Sequence, residues 1–73
     1  MRVIIKNMKH NEVPINVNST DKIEYGKKLY GKDKNIVWTF MAKVLSNDKT
    51  FGDYDIEEDD VITSTDKVIG GQA

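Results

Sequence analysis

The strongest constraint on this chain occurs twice near its N-terminus. Val3 and Ile5 alternate with Arg2, Ile4 and Lys6, and Val13, Ile15 and Val17 alternate with Pro14, Asn16 and Asn18. Alternation is the period of a strand, whose successive side chains point to opposite faces. The polar run Lys9-His10-Asn11-Glu12 between them reads as a hairpin turn. The pair is therefore a hairpin with one apolar face, which the rest of the chain has to cover. Pro14 cannot donate a ladder hydrogen bond, so the second strand belongs at a sheet edge with Pro14 pointing away from the core.

The cover must come from one small core, because the chain has 73 residues and no cysteine. Disulfide staples, a thiolate nucleophile and cysteine metal sites are excluded, and a reducing compartment is permitted. A formal net charge of −1 argues against a general nucleic-acid or membrane-surface binder. The longest apolar run, Val3-Ile4-Ile5, is far too short for a signal core or a membrane span. A cytosolic or nuclear protein is the expectation.

Asn18-Ser19-Thr20-Asp21 is a cluster of turn and cap formers. Asp21 or Thr20 is expected to cap a helix over residues 22–30, with Glu24 completing a capping box from Asp21. Ile23, Lys27 and Tyr30 share one face of that helix, with Tyr25 and Leu29 on a neighbouring one. Gly26 costs about 1 kcal/mol relative to alanine and would let the helix approach a sheet closely. Gly31 is placed to end it. After the polar residues 32–35, Ile36 to Phe40 are β-branched and aromatic, a third strand. Residues 41–45 give a turn and a short fourth strand, and residues 61–65 a last strand with Ile62 inward. Hairpin, helix, then further strands describe one helix packed across a mixed sheet, an α+β architecture with the first and last strands as central neighbours. The domain spans residues 1–66. Residues 67–73, ending in Gly70-Gly71-Gln72-Ala73, have no core-forming pattern and read as a flexible tail.

In this order the residues resemble the ubiquitin family, as a divergent member. The similarity runs without a gap from Met1 to Glu24, through Lys6, Val17 and Asp21-x-Ile23-Glu24. The segment after the helix is about five residues shorter than in the family, as loops tolerate. The similarity resumes at Trp38-x-Phe40, Lys43, Leu45 and Thr50-Phe51-x-Asp53-Tyr54-x-Ile56, and it ends at Gly70-Gly71. The resemblance implies a β-grasp fold. It places Leu45, Phe51, Ile56 and Ile62 in one core with Val3, Ile5, Ile15, Val17, Ile23 and Trp38. It also implies that the Tyr54 hydroxyl pins the preceding loop by bonding its backbone.

The same resemblance implies a modifier that does no catalysis itself and needs no cofactor. The carboxylate of Gly71 would be adenylated, passed to an enzyme cysteine and joined to a lysine amine of a target protein. The partners implied are activating and conjugating enzymes, a processing protease and the targets, with the modifier itself a monomer. Gly70 and Gly71 suit such a route because a narrow enzyme tunnel accepts residues without side chains. Here Gly71 is followed by Gln72, so processing between them is expected first. Lys67 falls where ubiquitin has an arginine that helps select the activating enzyme, and lysine lacks the planar fork. Ile69 replaces another basic residue, so activation by ubiquitin's own enzyme is not expected.

Candidate chain-acceptor lysines are Lys43, the best placed, with Lys6 and Lys27; other acceptor positions hold Asn11, Leu29, Asp33 and Glu58. The apolar patch through which ubiquitin is read corresponds to Met8, Thr39, Thr63 and Thr65, of which Met8 alone is apolar. Hydroxyls where partners expect aliphatic groups weaken binding unless each finds a hydrogen bond. Ser64 falls at an inward leucine of the family, so a looser core is expected near the tail.

Two other functions remain open: a ubiquitin-like protein–protein interaction module that is not conjugated, and a sulfur carrier of the same fold, which Gln72-Ala73 argues against. No metal site is expected. The carboxylates of Asp53, Asp55 and residues 57–60 lack the glycine and ligand spacing of a calcium loop, and His10 is the one histidine.

Overall fold

The computed structural model describes residues 1–31 and 36–66. Strands β1 (Arg2–Lys6) and β2 (Glu12–Asn16) form the N-terminal hairpin, followed by α1 (Ile23–Tyr30), β3 (Ile36–Phe40), β4 (Lys43–Val44) and β5 (Val61–Asp66). The five strands make one mixed sheet in the order β2-β1-β5-β3-β4. β1 and β5 are parallel central neighbours, and the remaining pairs are antiparallel. The helix packs across one face, which is the β-grasp arrangement. Pro14 lies on the edge strand β2, exposed and opposite Ile4.

The inward set follows the alternation. Val3, Ile5, Ile15, Val17, Ile23, Ile36, Trp38, Leu45, Phe51, Ile56 and Ile62 form a single buried cluster. Ile36 joins the ten residues expected there. Val13, next to the turn of the hairpin, does not and is 37% exposed. Ser64 is buried, directly across from Trp38 in the β3–β5 register. The indole Nε1 is buried without a hydrogen-bond partner.

The start of α1 differs from expectation. Lys22, in extended conformation, is the N-cap residue, and no side chain caps the helix. Asp21 turns back instead, its Oδ2 accepting from the Asn18 amide at 2.8 Å. The free helical amides are met by the loop after β4, with Ile23 N–H donating to Lys49 O at 2.8 Å and Glu24 N–H to Asn47 O at 3.4 Å. Gly31, at φ 92°, closes the other end with its amide on the Lys27 and Lys28 carbonyls. Gly26 brings the helix close to the sheet: a Cβ there would lie 2.6 Å from Phe51 Cζ and 3.1 Å from Trp38 Cζ3.

Candidate functional site

The face of the sheet away from α1 carries the positions expected to be read by partners. Val3 and Ile5 point inward on β1, so Ile4 and Lys6 point outward; on β5, Ile62 and Ser64 are buried, and Val61, Thr63 and Thr65 face out. The register joins these into rows. Lys6 is level with Thr63, Thr63 with Thr39, and Thr39 with Val44. Thr65 is level with Val37. Thr39, Thr63 and Thr65 are therefore brought together on one surface. Met8 projects from the β1–β2 loop, 62% exposed. Asn7 fixes that loop, its Oδ1 accepting from the Lys9 and Asn11 amides.

The three acceptor lysines separate by environment. Lys43 is exposed on β4, and Lys6 is half-buried on β1. Lys27 is 7% exposed. Its Nζ donates to Ile36 O at 3.2 Å and to Asn47 Oδ1 at 2.7 Å. That ammonium ties α1 to β3 and to the loop that caps the helix, and Lys27 is the least exposed of the three. Gly70, Gly71, Gln72 and Lys67 lie outside the described residues.

The loop preceding β5 is built from side chains bonding backbone. The Tyr54 hydroxyl accepts from the Ser46 amide at 2.8 Å, the pinning contact expected of it. Asp53 Oδ2 accepts from the Thr50 amide, and the Asp53 amide donates to Thr50 Oγ1. The Thr50 amide first, then its hydroxyl, hold the Asp53 carboxyl below the usual carboxylate range. Asp60 caps the Glu57 amide, Glu58 accepts from the Arg2 amide, and Asp59 pairs with the Arg2 guanidinium at 2.7 Å. Asp53, Glu58, Asp59 and Asp60 are thus engaged with turns and with Arg2. Among the described residues no group of three His, Cys, Asp or Glu is arranged to hold a metal ion.

Residues 3–65 match the family model described as the ubiquitin family. The chain belongs to the ubiquitin family. No curated protein gives a significant match. In this ubiquitin-family domain the inward positions other than Ser64 are built as the resemblance implies, and the outward Thr39, Thr63 and Thr65 depart from it. Ubiquitin-like domains generally interact with other proteins. Among the described residues no helix is long and apolar enough to cross a membrane.

One set of outward residues was not legible as a group in the sequence. Ile4 lies level with Pro14 on one side and with Val61 on the other. Met41 follows β3 in the β3–β4 turn and is 80% exposed. Single apolar residues in separate strands carry no periodic signal, and only the register shows that they adjoin.

Proposed function

We propose that this chain is a divergent ubiquitin-like protein modifier, joined through the carboxylate of Gly71 to lysines of target proteins. Whatever follows Gly71, here Gln72-Ala73, is removed first by a protease. The observation that carries the reading is a ubiquitin-family domain over residues 3–65 followed, four residues after β5 ends at Asp66, by Gly70-Gly71. The chain supplies the acyl group and the surface; ATP-dependent activation, conjugation and processing belong to partner enzymes, in the cytosol or nucleus. Lys67 contacts the activating enzyme. Lys43, exposed on a two-residue edge strand, is the favoured acceptor for chains, and Lys6 the second.

Thr39, Thr63 and Thr65 adjoin on one surface, which favours, as a second reading, an interaction module that is never conjugated. One experiment separates the two. The chain ending at Gly71 is incubated with ATP and an extract of its own cells, and thiol-sensitive adducts are sought. The modifier gives an adduct that Gly71→Ala abolishes. Absence of any adduct, with Gln72-Ala73 retained on the native protein by mass spectrometry, assigns the chain to the interaction module.

A further inference from the structure

β4 covers only part of the edge of β3. It pairs Val44 with Thr39 and Lys43 with Phe40, and the chain then leaves the sheet. The Leu45 amide still donates to Trp38 O at 2.8 Å, but no bond returns from the Trp38 amide to Leu45 O. A hydrogen-bonded antiparallel pair exchanges two bonds, so the hairpin opens at this pair. Beside the opening lies a pocket of about 350 Å³, between Ile36 and Val37 on one side and residues 44–48 on the other, with Lys27 in its wall.

The register fixes what β3 presents to that pocket. Phe40 and Lys43 close the two-residue turn, so Phe40, Trp38 and Ile36 aim their N–H and C=O groups at the β4 side, while Thr39 and Val37 aim theirs at β5. The Ile36 carbonyl accordingly accepts from Lys27 Nζ at 3.2 Å. The Ile36 amide, on a residue 5% exposed, meets no acceptor among the described residues. A buried backbone N–H without an acceptor is rare, and in a pocket wall it points to an oxygen supplied from outside the fold.

The far wall is held in place. The Ser46 amide donates to the Tyr54 hydroxyl at 2.8 Å, the Lys49 amide to Ser46 O at 3.1 Å and the Glu24 amide to Asn47 O, while Lys27 Nζ donates to Asn47 Oδ1 at 2.7 Å. Asp48 on the same wall is exposed, and its carboxylate enters no ion pair or hydrogen bond among the described residues. Val44, 66% exposed, and the half-buried Val37 are the apolar part of the lining. An acceptor oxygen, an aliphatic stem and a cation match these three features. A carboxylate would supply the oxygen but is repelled by Asp48.

We propose that this notch in the sheet edge is a docking site for a short extended peptide segment bearing arginine. One carbonyl of the segment accepts from the Ile36 amide, the stem of its arginine lies on Val37 and Val44, and the guanidinium faces Asp48. The segment continues the sheet where β4 leaves it. In strand addition of this kind the main-chain bond and apolar contact supply affinity, and the charged wall selects the side chain. The site lies beside the threonine surface and holds whether or not Gly71 is conjugated.

The test uses the full chain, isotopically labelled. In the free protein, hydrogen exchange at the Ile36 amide is expected to be much faster than at Val37 and Thr39, whose amides belong to the β3–β5 ladder. Protection of Ile36 equal to theirs overturns the proposal, because the fold itself then holds the acceptor. The protein is next titrated with a blocked peptide of alternating valine and arginine, and with the same peptide carrying glutamate in place of arginine. The expected result is saturable binding of the arginine peptide, a downfield shift and slowed exchange of the Ile36 amide, and shifts at residues 44–48. Asp48→Lys weakens the arginine peptide by up to about fivefold and strengthens the glutamate peptide, whereas Thr63→Ala changes neither. Asp48 is exposed on a loop, and the same spectra show that the variant is folded. Absence of saturable binding, equal affinity for the two peptides, or shifts centred on Thr63 and Thr65 overturns the proposal.

Discussion

On β5, Ile62 and Ser64 point inward, while Val61, Thr63 and Thr65 point outward, and the two sets answer to different demands. Inward, volume decides: Ser64 sits beside Trp38, and Gly26 admits the edge of Phe51 where a methyl group would collide. Outward, nothing within the chain decides, so threonines stand where the ubiquitin family implies an aliphatic patch. A ubiquitin-family domain can keep its interior rules and change what its surface offers. Substitutions on the two faces break that contrast most directly.

The largest effect is expected inside. Phe51 is fully buried between α1 and the sheet, and Phe51→Ala should cost about 3–5 kcal/mol in urea unfolding. Gly26→Ala sharpens the same point, because helix propensity alone favours alanine by about 1 kcal/mol. With a Cβ 2.6 Å from Phe51 Cζ, overpacking wins, and a net loss of about 1–2 kcal/mol is expected. Ser64→Leu, which restores the family's inward leucine, should destabilise by about 1–3 kcal/mol against Trp38. Thr63→Val, one residue away but outward, should stay within about 0.5 kcal/mol of the parent. Equal costs for these last two would erase the distinction between the faces.

The smallest effect concerns pH. Asp53 has its carboxyl lowered by the Thr50 amide and then by the Thr50 hydroxyl. A carboxyl depressed in the folded state stabilises above its unfolded pKa, and that contribution is lost as pH falls through the folded value. Asp53→Asn should therefore be less stable than the parent at neutral pH. The difference should narrow below about pH 4, near the ordinary aspartate value. Thermal unfolding of both proteins across that range checks the sign.

The same contrast explains what the sequence disclosed. Val3, Ile5, Ile15 and Val17 are legible because period two needs no knowledge of the partner strand. The helix cap was not, because its partners are the Lys49 and Asn47 carbonyls, far along the chain and reached through backbone alone. Glu24 after Asp21 imitates a capping box, yet Asp21 serves the Asn18 turn. Lys27 reads as a surface lysine until Gly26 beside it lets α1 approach, when Ile36 O and Asn47 Oδ1 take up its ammonium. The threonine surface was legible through the family resemblance. The adjacency of Pro14, Ile4 and Val61 needed the strand register. Gly70 and Gly71 are legible as sequence and lie outside the described residues.

The measurement that most directly tests a ubiquitin interior beneath a changed surface is a titration with a helix that binds the apolar patch of ubiquitin. The parent protein is compared with a triple variant, Thr39→Ile, Thr63→Val and Thr65→Val, and with ubiquitin itself. The account predicts negligible binding by the parent and a gain of about tenfold or more in the triple variant, with the fold unchanged. Ubiquitin-like affinity in the parent would contradict it.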